Sequence, residues 1–300
     1  MTASPKLNEE EIIAYYEDCE VDYRLLWHLD THLCMHYGYW EKDTRRLRDA
    51  LVLMNEKMAS YADIQPGEEV LDAGCGVGGS SIFLAGMHGC RVQGITLSGK
   101  QVDRCRENAC KHGVDELVSF SRQNYLHTEF PDESFDVVWG LESICYAEDK
   151  ADFLREAYRL LRPGGRLVVG DFFSTPMEPD SSEAALMAKW TATWAIGSYA
   201  ETGVFVSKAG HEGFTGVMVN DITDRVVPSI RRLYYTFFPG LICTKVLQWL
   251  GLRNKRQTAN TWSTWYQYRA WKRGLWKYNI ITAVKPAASS AFGNVNLHQK

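Results

Sequence analysis

A carboxylate and four glycines crowd into one short stretch, Asp72-Ala73-Gly74-Cys75-Gly76-Val77-Gly78-Gly79. The apolar Val70 and Leu71 precede it, and Ile82, Phe83, Leu84 and Ala85 follow at helical spacing, which predicts a strand, a tight turn and a helix. Such a unit lets backbone approach a nucleotide closely at a helix N-terminus. Gly74, Gly76 and Gly79 also satisfy the dinucleotide spacing G-x-G-x-x-G, so the glycines alone do not choose a ligand. Asp72 does: a carboxylate ahead of the loop repels a pyrophosphate and attracts an ammonium or sulfonium. Glu142 and Asp171 are the other carboxylates expected at the carboxyl ends of strands, where open α/β sheets place their ligands, with the Tyr146 hydroxyl close behind Glu142.

The positioning elements follow from pattern. Pro66-Gly67 is a turn before the first core strand. Further strands are expected at 91–95, 117–121, 135–139, 167–171, 214–219 and 278–284, and helices at 99–112 and 149–161. Ahead of this core, a helical pattern covers 8–33, opened by Glu9, Glu10 and Glu11, and a second helix covers 44–61. The stretch 174–215 interrupts the alternation, and its Met177, Met187, Trp190, Trp194 and Tyr199 predict a cap over a ligand. The organisation expected is an N-terminal helical lid segment (1–65), a nucleotide-binding core (66–173), a cap insertion (174–213), completion of the core with an aromatic-rich insertion (214–286) and a disordered tail (287–300).

With 300 residues, 45% of them hydrophobic and 23% charged, the chain can bury a full core. A formal net charge of −4 gives no basic face for nucleic acid. Eight cysteines without a C-x-x-C pair read as reduced thiols in a cytoplasmic protein, and no metal is expected. His28, His32 and His36 could share a helix face, but no carboxylate motif accompanies them. The apolar run 233–252 is interrupted by Pro239-Gly240 and Lys245, which predicts a buried or lid helix, with interfacial membrane contact as the minor alternative. A homo-oligomer is compatible with this pattern.

The motif Asp72-x-Gly74-x-Gly76-x-Gly78 resembles the first motif of class I S-adenosylmethionine (SAM) dependent methyltransferases, nearest to the tocopherol, sterol and terpenoid C-methyltransferase branch. The resemblance implies a Rossmann-like sheet with helices on both faces, N-terminal helices and an α-helical cap over the acceptor. It implies SAM held by Asp72, Gly74, Gly76 and Gly78, its ribose by Thr96 and Gln101, its adenine near Asn124 and Tyr125, and Glu142 and Tyr37 close to the donor. This chain has Thr96 where most such enzymes carry an acid, Asn124 where Asp is common, and Cys145-Tyr146 where relatives often carry Glu-His. Residues 32–40 resemble the H-x-G-[YF]-[WY] segment that covers the pocket, making Tyr37, Tyr39 and Trp40 pocket candidates.

Methyl transfer is an in-line displacement at an activated carbon, and alignment alone supplies effective molarities of about 10⁵ M or more. No triad or metal is therefore required. The aromatic residues around the core suit an alkene acceptor whose carbocation they stabilise by roughly 0.5–2 kcal/mol each, with Glu142 or Asp171 as base and Tyr146 as wall or hydroxyl contact. The expected partner is a small hydrophobic acceptor, with C-methylation of a prenyl, terpenoid or sterol-like double bond leading. O- or N-methylation of an aromatic metabolite, a non-catalytic SAM-binding protein and a NAD-linked enzyme are the alternatives.

Overall fold

The computed structural model describes residues 9–287. In chain order the elements are α1 (Glu9–Leu26), α2 (Leu29–His32), α3 (Leu47–Tyr61), β1 (Glu69–Ala73), α4 (Gly79–His88), β2 (Arg91–Thr96), α5 (Gly99–His112), β3 (Val118–Arg122), β4 (Phe135–Leu141), α6 (Lys150–Leu160), β5 (Leu161–Ser174), α7 (Ser182–Thr193), α8 (Thr202–His211), β6 (Thr215–Asp221), α9 (Thr223–Trp249), α10 (Lys255–Lys272) and β7 (Trp276–Val284). The seven strands form one sheet in the order β3-β2-β1-β4-β5-β7-β6. β7 runs antiparallel to both its neighbours, and the other pairs are parallel.

Strand side chains alternate between faces, so adjacent residues feed two cores. Val70, Val137 and Val168 join Leu51 and Met54 of α3 and Leu84 of α4 on one face. Leu71, Val138 and Val169 join Phe153 of α6 and Phe205 of α8 on the other. The strand order reverses between β1 and β4, and the crevice at their carboxyl ends is the place such sheets bind ligands. Asp72 lies in the last turn of backbone of β1 and Glu142 directly follows β4, so the topology brings these two carboxylates together.

Several elements differ from expectation. The N-terminal pattern is broken at His28 (φ 54°) and Leu33 (φ 55°), leaving α2 a single turn. His36 therefore sits in a loop, with Nδ1 2.9 Å from the Tyr37 carbonyl oxygen, and does not share a helix face with His28 and His32. Among the described residues, no group of three or more His, Cys, Asp or Glu side chains could hold a metal ion. Of the stretch expected to cap the acceptor, α7 buries Met187 and Trp190 in the core of one sheet face, whereas α8 buries Phe205 and Ala209 against the core of the other.

Of the two forms expected for the run 233–252, a buried or a lid helix, the structure does not show the first: residues 233–249 are the distal part of α9, which buries Leu233 and Phe237 but leaves Tyr235 73%, Ile242 70% and Trp249 84% exposed. Most aromatic residues of this insertion bind α9 to α10, as in the stack of Tyr234 on Tyr268 at 3.9 Å. Among the described residues, no helix is long and apolar enough to cross a membrane. The tail expected to be disordered lies, beyond Ala287, outside the described residues.

The N-terminal segment reaches the glycine loop through a contact that tolerates no side chain. A Cβ on Gly79 would lie 2.1 Å from the Leu33 carbonyl oxygen. Gly79→Ala must displace residues 33–35, and we expect a loss of about 1–3 kcal/mol in denaturant unfolding together with weakened donor binding. Unchanged stability and affinity would show that the segment is not seated there.

Candidate active site

Two adjoining cavities open at the switch point. The smaller, about 250 Å³, is floored by the glycine loop and roofed by Glu9, Ile12, Ile13 and Tyr16 of α1. The loop needs its glycines: Gly74 and Gly76 have φ of 99° and 55°, which other residues rarely adopt. Gly78 has φ 88° and precedes α4, but it backs onto Cys105 and Phe120 and does not line the cavity. Asp72 is 2% exposed and accepts a 2.6 Å bond from the Ser81 hydroxyl, and burial pushes its carboxyl up to about 6.

The remaining donor-side expectations have local geometry of their own. Thr96 donates to Gln101 Oε1 at 2.5 Å, while the Ser98 hydroxyl caps α5 by accepting from the Gln101 N–H at 3.4 Å. The two expected ribose contacts are thus bonded to each other and held at the helix start. Asn124 Oδ1 accepts the Leu126 N–H at 2.9 Å, so one of its lone pairs is engaged, and its amide donates to Glu9 Oε1 at 2.7 Å. The Tyr125 hydroxyl donates to the Ser143 carbonyl at 2.9 Å.

Charge is the distinctive property of this cavity. Glu9, Asp72, Glu142 and Glu148 line it, and among the described residues no Lys or Arg does. His36 is held neutral, since burial lowers its pKa to about 4. An anionic pyrophosphate would meet carboxylates alone, whereas a cation would supply the missing counter-charge.

The second cavity, about 410 Å³, falls within the size range of small-molecule sites. Tyr16, Trp27, Tyr37, Phe172, Trp194 and Tyr199 give it aromatic walls, and Asp171 and Glu142 face it from the sheet. Glu142 and Tyr146 line both cavities. Glu142 adopts φ 50°, an unusual backbone for a non-glycine residue. Its Oε1 accepts both the Tyr37 N–H at 2.6 Å and the Tyr278 hydroxyl at 2.7 Å, so Oε2 carries neither bond. Burial pushes this carboxyl up to about 8 against the lowering effect of those two bonds. Asp171 differs: one oxygen accepts the Cys145 N–H at 2.9 Å and the other the Phe172 N–H at 2.8 Å, and burial raises it to about 6.

Tyr37 faces the larger cavity and not the donor side, with its hydroxyl donating to Gln267 at 2.8 Å. Tyr39 and Trp40 line neither cavity. The Tyr39 ring packs under Lys57 and Arg225, and the Trp40 indole donates to Ser229 at 2.8 Å. Of the cap residues, Met187 and Trp190 are core, while Trp194 and Tyr199 reach the cavity. Sequence reasoning missed Tyr278 as a partner of Glu142, and Glu9 as part of the roof. Tyr278 was visible only as an apolar position in the last strand.

A doubly wound sheet with an acidic, glycine-floored crevice at its switch point suits the binding of a cationic nucleoside. Residues 71–169 match the family described as "Methyltransferase domain". A 27-O-demethylrifamycin SV methyltransferase of Amycolatopsis mediterranei is 36% identical over 182 residues, 59% of this chain and 66% of that protein. A 2-methyl-6-phytyl-1,4-hydroquinone methyltransferase of Synechocystis is 29% identical over 97% of this chain and 92% of its own. The solved geranyl diphosphate C-methyltransferase of Streptomyces coelicolor has the same fold, with a TM-score of 0.70 at 22% identity, covering 95% of this chain and 99% of that one. The chain belongs to the class I SAM-dependent methyltransferases and resembles the branch that includes tocopherol and sterol methyltransferases, and SAM is its methyl donor.

The raised carboxyls make stability depend on pH. Asp72, Asp171 and Glu142 keep protons in the folded chain at pH values where the unfolded chain, with carboxyls near 4, has lost them. Their contribution is present below about pH 4 and is lost as pH rises toward 6 for the aspartates and 8 for Glu142. We expect the melting temperature of the ligand-free protein to fall between about pH 5 and pH 8, and Glu142→Gln to flatten that fall and melt higher than the parent at pH 8. Parallel profiles for the two proteins would contradict a protonated Glu142.

Proposed function

We propose that the chain methylates a carbon–carbon double bond of a small hydrophobic acceptor of prenyl, terpenoid or sterol type, with Glu142 as the base. The observation that carries this reading is the position of Glu142 between the donor cavity and the aromatic-walled cavity, with one carboxylate oxygen left free. Asp72, Gly74, Gly76, Thr96, Gln101, Asn124 and Tyr125 would hold SAM in the smaller cavity, where they all lie. Four acidic side chains without a cation suit a sulfonium and an ammonium.

Bound there, SAM supplies an electrophilic methyl group. The chain's own contribution is alignment and exclusion of water, with the acceptor held against Tyr16, Trp27, Tyr37 and Phe172. As the double bond took the methyl group, a C–C bond would form while the methyl–sulfur bond broke, its electron pair returning to sulfur in the departing S-adenosylhomocysteine, and the positive charge would move to the neighbouring acceptor carbon. The aromatic faces stabilise it by roughly 0.5–2 kcal/mol each. Loss of an adjacent proton to Glu142 restores a neutral alkene. Asp171, with both oxygens engaged by backbone N–H groups, orders the turn after β4 and is the weaker candidate for the base. Tyr146 donates to the Trp194 carbonyl at 3.2 Å and acts as a wall between the cavities.

The similarity to a phytylhydroquinone methyltransferase supports a hydrophobic acceptor, and that to the demethylrifamycin O-methyltransferase favours a second reading, O-methylation, in which the same Glu142 takes a hydroxyl proton. The eight free thiols support a reducing, cytoplasmic setting.

Methyl-labelled SAM offered with alkenes, phenols and amines distinguishes these readings. We expect label on carbon, and Glu142→Gln to lower kcat by about 10²–10⁴-fold with a much smaller change in KM for SAM. Asp171→Asn should cost less. Label only on oxygen or nitrogen, or full activity in Glu142→Gln, would overturn the alkene reading.

A further inference from the structure

The charges around the acceptor cavity restrict what can enter it. Its acidic and basic lining residues are Asp22, Glu142, Asp171 and Arg253, so Arg253 is the one cation among the described residues that faces it. That cation is already neutralised. Arg253 Nη1 lies 2.7 Å from one oxygen of Asp22, Nη2 donates to the other at 2.7 Å, and Nη2 also donates to the Gln257 carbonyl at 2.7 Å. Both side chains are nearly buried, at 12% and 13% exposure. The Asp22 carboxylate additionally accepts from Asn260 at 2.9 Å.

Several hydroxyls of this lining are also committed, whereas the buried Tyr199 hydroxyl has no partner but lies beside Asp171 and Glu142, which repel an anion. Thr236 donates to the Leu233 carbonyl at 2.7 Å, Ser263 to Asn260 at 2.6 Å and Thr264 to Thr261 at 3.0 Å. Each hydroxyl has a single proton, so none of the three has a donor left for an incoming anion. A buried anion needs a counter-charge or several donors. At the other end it would face Glu142 and Asp171.

Resting on the assignment of this cavity to the acceptor, we infer that the enzyme selects an acceptor that is electrically neutral along its length, such as a free prenyl alcohol or other uncharged terpenoid, and rejects prenyl diphosphates. Asp22 is the specificity-determining residue, because it cancels the charge that a diphosphate would otherwise use. The class of reaction that supplies this substrate is therefore one that has already removed or replaced the diphosphate.

Calorimetry on the protein loaded with S-adenosylhomocysteine tests this, with farnesol and farnesyl diphosphate as probes, each with and without Mg²⁺. We expect the alcohol to bind about tenfold or more tightly than the diphosphate. Asp22→Asn, which leaves Arg253 uncompensated, should shrink that ratio by strengthening the diphosphate. Equal or tighter diphosphate binding to the parent protein, in either condition, overturns the inference. So does a folded Asp22→Asn protein with an unchanged ratio, and if the variant does not fold, the parent ratio decides. Should neither farnesyl compound bind, the alkene reading fails on its own, and 4-nonylphenol against its phosphate ester tests the charge rule: preference for the phenol supports it, and preference for the phosphate overturns it.

Discussion

The site depends on two buried carboxylates that the chain leaves without a counter-charge. Asp72 and Glu142 end neighbouring strands at the point where the sheet order reverses, and each is raised by burial because no lysine or arginine faces it. A carboxylate held this way favours protonation in the empty protein and ionisation beside a cation. On the function proposed above, the binding of a sulfonium would ionise Glu142 and so generate the base that the acceptor chemistry of that proposal requires. The cost appears as reduced stability of the ligand-free chain at neutral pH.

The same carboxylate ties the helical layer to the sheet. Glu142 accepts the Tyr37 N–H from the segment after α2, while Gly79 at the start of α4 admits the Leu33 carbonyl against its backbone. Tyr37 then reaches Gln267 of α10, and its ring lies edge-on 5.3 Å from Phe172, which meets Tyr278 at 4.8 Å. The donor floor, the lid segment and the acceptor walls therefore share one network of contacts. Displacement of the lid segment alters both cavities together.

The candidate donor cavity was legible in the sequence because its signals are local. The glycine spacing specifies the tight loop, and one acid in front of it excludes the pyrophosphate reading. The place of Glu142 and Asp171 at strand ends followed from alternation and topology. The partners of Glu142 did not, since Tyr37 and Tyr278 lie 105 and 136 residues away and no spacing rule connects them. Aromatic richness showed that helices would pack over the sheet but not which rings would face a ligand. In α9 and α10 the rings mostly stack on one another, and of that insertion's aromatics only Phe237 reaches the cavity. The acidic charge of the donor cavity was likewise hidden, because Glu9, Asp72, Glu142 and Glu148 come from separate parts of the chain.

The central claim is that the donor's positive charge completes the charge balance at Glu142. Calorimetric titration of SAM in two buffers of different ionisation enthalpy counts the protons exchanged on binding. Between about pH 6 and pH 8, proton release from the parent protein that disappears in Glu142→Gln is the predicted result. The same proton count in both proteins would contradict it.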